Sequence, residues 1–322
     1  MSKPVLAIAG GIGGAKLVLG LSRVLEQGDL VVVGNTGDDF NHLGFAISPD
    51  LDTLLYTLSG LADPVRGWGR RRETWKFMAA LEALGGPTWF RLGDADLAMH
   101  AERTRRLAAG ESLSAVTEAL RQKLGVATRL LPMSDDPVRT RLRTSTEWLD
   151  FQDYFVRLRC EPEVREIAYA GAGAARAMPQ VLDLLRGDEL RAVVICPSNP
   201  FLSIEPILAI PEMRAAIAAC RAPVVAVSPI IAGQAVKGPT AKMMRELGVE
   251  ASAAAVARRY ADLLDAFVVD EADAGAILPE GVARIIGRTL MLTLGDRKRL
   301  ARIVLAAADS CSAGARAAER KP

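Results

Sequence analysis

Short apolar runs recur along this chain, each closed by glycine or small polar residues and most followed by a stretch of helical apolar spacing. Pro4 to Ala9 and Leu30 to Gly34 read as buried strands, and between them Ala15 to Glu26 places Leu17, Leu21, Val24 and Leu25 on one helical face. Thr128 to Leu131, Leu190 to Cys196, Pro223 to Val227 and Ala266 to Val269 read as further short strands. Helices are expected over Met178 to Arg186, after Ser203 and over Thr240 to Leu247. Strands that end in polar turns and alternate with helices predict an α/β fold with a parallel sheet. In such a fold the ligands gather at the carboxyl ends of the strands.

One block breaks the alternation. Leu51 to Gly60, Thr74 to Leu84, Leu97 to Ala108 and Glu111 to Leu124 all read as helices, with Arg66, Arg70, Arg71 and Arg72 forming a basic, solvent-facing connection. Residues 61–125 are therefore expected to form a helical insertion over one edge of the sheet. Residues 1–60 and 126–310 would then make the α/β core, and 311–322 a flexible tail; fraying is expected from Leu305 onward. Val138 to Thr144 and Glu147 to Arg159 read as an antiparallel pair, an edge suited to contact with another subunit.

Candidate chemistry concentrates after the second strand. Asn35 to Thr53 (NTGDDFNHLGFAISPDLDT) carries Asp38, Asp39, Asp50 and Asp52. Carboxylates this close repel one another unless a cation or hydrogen-bond donors offset them. Oxygen ligands without His or Cys suit a hard ion such as Mg²⁺, which shares its shell with water and substrate phosphates. The plainer alternative makes Asp38 and Asp39 turn residues and Asp50 the N-cap of the helix from Leu51. After the first strand, Gly10, Gly11, Gly13 and Gly14 read as a turn before a helix with Lys16 in its first turn. Backbone N–H groups and a lysine placed so can hold phosphate, or the glycines can serve helix packing alone. The loop completes neither the dinucleotide fingerprint, whose third glycine is replaced by Lys16, nor the Walker pattern.

Composition narrows the field. The 322 residues are 50% hydrophobic and 24% charged, with 40 basic against 38 acidic side chains, so no general field steers nucleic acid or an anionic membrane. No leader and no apolar run of membrane-spanning length is read, which points to the cytoplasm. The four cysteines, Cys160, Cys196, Cys220 and Cys311, are far apart and are expected as buried free thiols. Two histidines, His42 and His100, cannot build a zinc site alone, and a Ser-His-Asp hydrolase would have to use one of them.

Six motifs in order carry a more specific resemblance: GGIGGAKLVLGL from Gly10, NTGDD with ISPDLDTLLYTL, RLGDADLAMH from Arg91, LPMSDDPV from Leu131, CPSNPFLSIEPILA from Cys196, and AVSPIIAG with KGPTAKMM from Ala226. Together they resemble the 2-phospho-L-lactate transferase family of coenzyme F420 biosynthesis, over roughly residues 4 to 310. The resemblance implies a Rossmann-like core with a smaller helical part, usually a homodimer. It implies Mg²⁺-dependent transfer of a phospho-acid group from a guanosine-diphosphate-linked donor to the ribityl hydroxyl of the deazaflavin Fo, releasing GMP. On this reading Asp52, Arg91 and Asp94 meet the acceptor, with the 61–125 insertion covering it. Gly10, Gly11, Gly13, Gly14 and Lys16 hold the donor phosphates, and Ser198, Asn199, Ser203, Ser228 and Lys242 the nucleotide. Asp39, Asp50 and Asp52 hold the metal, and Asp52 and Asp50 serve catalysis. Two other readings are a nucleotide-sugar-binding regulator of a related Rossmann-like group and an NAD(P) oxidoreductase.

Overall fold

The computed structural model describes residues 3–236 and 238–311. Seven strands form one sheet. In chain order they are β1 (Val5–Ala9), β2 (Leu30–Gly34), β3 (Arg129–Pro132), β4 (Ala192–Ile195), β5 (Val224–Val227), β6 (Ala266–Val269) and β7 (Ala283–Ile286). Their spatial order is β7-β6-β5-β4-β1-β2-β3, and every pairing is parallel. This is the doubly wound, Rossmann-like order, reversing direction between β1 and β4, where a crevice opens at the strands' carboxyl ends. Both faces are covered, so the strands read as continuous apolar runs. Val5, Ala7 and Ala9 pack into one apolar cluster with α1 (Gly11–Ser22), α2 (Pro49–Ser59) and the helix Leu294–Ser310. Leu6 and Ile8 face the other cluster, with the helices Pro179–Arg186, Pro211–Ala219 and Ala253–Arg259.

Between β2 and β3 the chain runs through a hairpin (Phe40–His42 with Phe45–Ile47), α2, α3 (Lys76–Ala83), α4 (Asp94–Ala108) and α5 (Leu113–Lys123). A small separate cluster of Ile47, Met78 and Leu92 ties α3 to the hairpin. Helices α3 and α4 cap each other. The Asp94 carboxylate accepts from the N–H groups of Lys76 and Phe77, while Glu73 accepts from those of Ala95 and Asp96.

Several expectations change. The helix after β1 starts at Gly11 rather than Ala15, with Gly10 as N-cap, so Gly11, Gly13 and Gly14 lie in its first turn. Ser48, not Asp50, is the residue before α2, and Pro49 takes the first helical position. The turn after β4 winds from Pro200, as a π-helical turn through Ile204, because the Asn199 side chain accepts from the N–H groups of Phe201 and Leu202. The antiparallel pair exists over Arg139–Arg143 and Trp148–Asp150, but Asp153–Arg157 turns helical and Glu166–Ala170 joins as a third strand. Only Cys196 and Cys220 of the four free thiols are buried.

Fraying does not set in at Leu305, because Leu305, Ala307 and Ala308 are buried in a helix that continues to Ser310. The expected tail lies, from residue 312, outside the described residues. That last helix packs on α1 so closely that a Cβ on Gly20 would stand 2.2 Å from the Arg297 carbonyl oxygen. Gly20→Ala is expected to destabilise the fold by about 1–3 kcal/mol. The check is a lower denaturant midpoint at an unchanged m-value.

Candidate functional site

A cavity of about 620 Å³ opens at the carboxyl ends of the strands. The loops after β1, β2, β4 and β5 all reach it, with Gly10 to Gly13 and Lys16, Asp38, Pro197 to Asn199, and Ser228 respectively. Asp50, Asp52 and Tyr56 of α2, Asp96 and His100 of α4, and an aromatic wall of Trp68, Trp89 and Phe90 also line it. Its size and its mix of apolar wall and convergent polar groups suit a ligand site.

The glycines are there because the loop after β4 lies against α1. A Cβ on Gly13 would stand 2.3 Å from the Pro197 carbonyl oxygen, and one on Gly14 would stand 2.5 Å from Ser198 Oγ. Ser198 Oγ donates to the Gly10 carbonyl at 2.8 Å. One N–H at the start of α1 is already engaged, since Gly11 donates to Asp50 Oδ1 at 2.6 Å. Lys16 extends into the cavity with its ammonium on the Met291 carbonyl at 2.9 Å.

The acidic stretch divides into separate environments. Asn35 Nδ2 donates to Asp38 Oδ1 at 3.2 Å, to Asp50 Oδ2 at 2.9 Å and to the Leu202 carbonyl at 3.1 Å. Asp39 faces Ser48, whose hydroxyl donates to Oδ2 at 2.8 Å, while its buried Oδ1 has no hydrogen-bond partner. Both oxygens of Asp52 accept from the Arg103 guanidinium, and His100 Nδ1 lies 3.6 Å from Oδ2. His100 Nε2 is 3.4 Å from Asp96, which also accepts the Tyr56 hydroxyl.

Burial is the main force on these acids. It pushes Asp38 well above the usual carboxylate range, with the Asp50 and Asp39 charges adding to the effect. It raises Asp50 to about 6 against the pull of Asn35 and Gly11. It raises Asp39 to about 7 against the Ser48 hydrogen bond, and Asp52 as well, against Arg103 and His100.

Of the site residues expected from sequence, Gly10, Gly11, Gly13, Lys16, Asp50, Asp52, Arg91, Ser198, Asn199, Ser203 and Ser228 meet at this cavity. Arg91 also lies over the Trp75 ring, 4.4 Å from its centroid. Asp94 does not line it, since it caps α3 and accepts the Thr74 hydroxyl. Lys242 does not either: it pairs with Glu246 and donates to the Pro162 carbonyl at 3.0 Å. Gly14 and Asp39 lie behind the cavity wall. Asp39, Asp50 and Asp52 are not gathered around one point, and among the described residues no group of three or more His, Cys, Asp or Glu is arranged to hold a metal. The residues that sequence reasoning missed are Tyr56, Asp96 and Arg103, and His100 in this role. Their signal is polar spacing on two helix faces, 52 and 56 on α2 and 96, 100 and 103 on α4.

The family model of the 2-phospho-L-lactate transferase CofD matches residues 5–280. The chain belongs to this family. Similar proteins include phosphoenolpyruvate transferases of Streptomyces griseus, 43% identical over 298 residues (91% of this chain and 93% of that protein), and of Kitasatospora aureofaciens, 44% identical over 320 residues (96% and 99%). The phosphoenolpyruvate transferase of Thermobifida fusca is 44% identical over 319 residues (95% and 97%). A crystal structure of a UPF0052 family member from Bacillus halodurans aligns with TM-score 0.61 at 14% identity, covering 95% of this chain and 99% of that one, and shows the fold alone. Membership in the CofD family makes the chain a transferase, and the cavity at the strand ends is its candidate active site.

The raised acids carry a sign. A carboxyl whose value rises from 3.8 to about 7 on folding favours the folded state below about pH 4 and loses that contribution as pH climbs through about 7. Asp39→Asn is therefore expected to give a shallower fall in stability between pH 4 and 8. It should also be more stable than the parent at pH 8, measured by urea unfolding in a chelator.

Proposed function

We propose that this chain transfers a phosphoenolpyruvyl, 2-phospholactyl or related phosphoglyceryl group from a guanosine-diphosphate-linked donor to the ribityl hydroxyl of the deazaflavin Fo, in coenzyme F420 biosynthesis, releasing GMP. The observation that carries the reading is one cavity lined together by the start of α1 with Lys16, by buried aspartates, and by an aromatic wall with Arg91. These groups suit a diphosphate, a reacting hydroxyl and a flat ring system.

In the reaction, the hydroxyl oxygen bonds to the phosphorus that bears the three-carbon acid. The bond from that phosphorus to the bridging oxygen breaks, and GMP leaves with the electron pair. Such a transfer needs charge neutralisation and alignment more than covalent help. Lys16 and the remaining N–H groups at the start of α1 would bind the diphosphate. Asp52 would orient the hydroxyl and take its proton. The Trp and Phe rings of the wall, with Arg91, would seat the deazaflavin, and the 61–125 insertion would close over it.

A divalent cation fits beside Asp38 and Asp50. Asn35 Nδ2 has two N–H groups for three acceptors, two of them carboxylates that line the cavity, so with only the Arg139 charge acting on Asp38 and the Gly11 N–H on Asp50 a cation would suit this pair. Mg²⁺ uses one or two carboxylates together with water and phosphate, and bound there it would neutralise the diphosphate. Asp52, with both oxygens on Arg103, is read as the acceptor-side base and not as a ligand of the cation.

Mass spectrometry of Fo after incubation with Mg²⁺ and each of the three guanylylated donors should show one donor adding its phospho-acid with formation of GMP. No mass change with any donor, in a protein that binds nucleotide sugar, would point to the regulator instead. Asp52→Asn should keep the fold and lose most turnover, about 100-fold or more for removal of a general base. Lys16→Ala should weaken donor binding more than Fo binding, read by separate titrations.

A further inference from the structure

Arg103 reaches Asp52 from a distant part of the chain. Asp52 stands in the first turn of α2, and Arg103 lies in the second half of α4. The guanidinium is 1% exposed and forks onto the carboxylate, Nη1 donating to Oδ2 at 3.1 Å and Nη2 donating to Oδ1. Nη1 also faces the Ala46 carbonyl at 3.3 Å and His100 Nδ1 at 3.2 Å. Nη1 has two N–H groups for these three neighbours, and the part His100 Nδ1 plays in the contact depends on the imidazole's tautomer.

Asp52 and His100 line the cavity, but Arg103 does not. The guanidinium therefore sits behind the carboxylate, on the side away from any ligand. A fork of this kind uses one lone-pair site on each oxygen and fixes the carboxylate plane. The remaining lone pairs are the ones Asp52 can offer to a hydroxyl. A second contact between the same helices, the Tyr56 hydroxyl on Asp96, holds α4 in register with α2.

Resting on the reading of Asp52 as the group that receives the acceptor hydroxyl, we propose that Arg103 is a positioning residue whose fork sets the direction in which Asp52 meets that hydroxyl. Arg103 does not line the cavity, so its effect passes through the side chains it holds, chiefly Asp52, on which both of its terminal nitrogens converge. Lysine keeps the charge but cannot fork, and misplacement of a reacting group by about 1 Å can cost on the order of 100-fold in rate.

The experiment compares Arg103→Lys, Arg103→Met, Asp52→Asn and the double variant Asp52→Asn with Arg103→Met. Melting temperature, GMP affinity, Fo affinity and turnover with the donor used by the parent protein are measured for each. Arg103→Lys should melt near the parent, bind GMP equally well, and lose about 100-fold in kcat. Arg103→Met should lower kcat no further in the Asp52→Asn background than Asp52→Asn does alone, because residues acting as a unit are non-additive.

Three results would overturn the proposal. One is full turnover by Arg103→Lys, another is losses that multiply in the double variant, and the third is equal weakening of GMP and Fo binding, which marks a purely structural role. An active Asp52→Asn protein removes the underlying reading and the proposal with it. An inactive Asp52→Asn beside a fully active Arg103→Lys overturns the positioning role alone.

Discussion

The side-chain amide of Asn35 is the point on which the cavity's geometry depends. Asn35 follows β2, its oxygen accepts the Gly37 N–H at 2.8 Å, and its nitrogen meets Asp38, Asp50 and the Leu202 carbonyl. One buried side chain thereby joins the loop after β2, the start of α2 and the turn after β4. Asp50 extends the tie to the start of α1 through Gly11. The close approach leaves no room for a side chain at the N-cap: a Cβ on Gly10 would stand 2.4 Å from Asp50 Oδ2 and 2.7 Å from Ser203 Cβ. Four loops from distant parts of the sequence are held by polar contacts that have little other purpose in a core.

Such a knot holds charge as well as shape. Two N–H groups cannot fully satisfy three acceptors, so the Asp38–Asp50 pair is short of either a proton or a cation. Burial raises the values of both acids, which favours holding a proton there as the pH falls. Binding a divalent cation would displace that proton, and cation affinity at this pair would rise with pH. A phosphate anion arriving at the start of α1 works in the opposite direction, since it adds negative charge beside Asp50. On the proposed reading, cation and diphosphate would therefore favour each other's presence, the usual relation between Mg²⁺ and a nucleotide diphosphate.

Much of the fold was legible because its strands are buried on both faces. Val5 to Ala9, Leu30 to Gly34 and Ala266 to Val269 are uninterrupted apolar runs with polar stops, and the sheet forms over them. Strand β7 escaped notice because it lies at the sheet edge, with Ala283, Arg284 and Ile286 exposed and no apolar run to mark it. The helix Leu294–Ser310 was hidden by its Arg and Lys content, although Leu300, Ala301, Val304 and Leu305 form its buried stripe. In the site, the clustering of Asp38, Asp50 and Asp52 was visible as composition. Their division among Asn35, Gly11 and Arg103 was not, because it is set by contacts between residues up to 51 positions apart. Asp94 was expected at the acceptor through the resemblance alone, and nothing local in the sequence shows that its carboxylate is taken up by the N–H groups at the start of α3.

The cavity is built in two different ways at its two ends. One end consists of strand termini and short loops locked to the sheet, so its geometry follows from the α/β core itself. The other end depends on α4, which rests on α2 through Asp52–Arg103 and Tyr56–Asp96, and on α3 through the exchanged caps of Glu73 and Asp94. The first two contacts are buried side-chain pairs and the caps lie toward the surface; a buried ion pair adds little net stability while fixing one arrangement strongly when its partners are complete. Helix α4 is thus specified by direction more than by apolar area. Under the proposed transfer, a site that brings a hydroxyl into line with a phosphorus would need that kind of fixing at this end, where the sheet does not supply it.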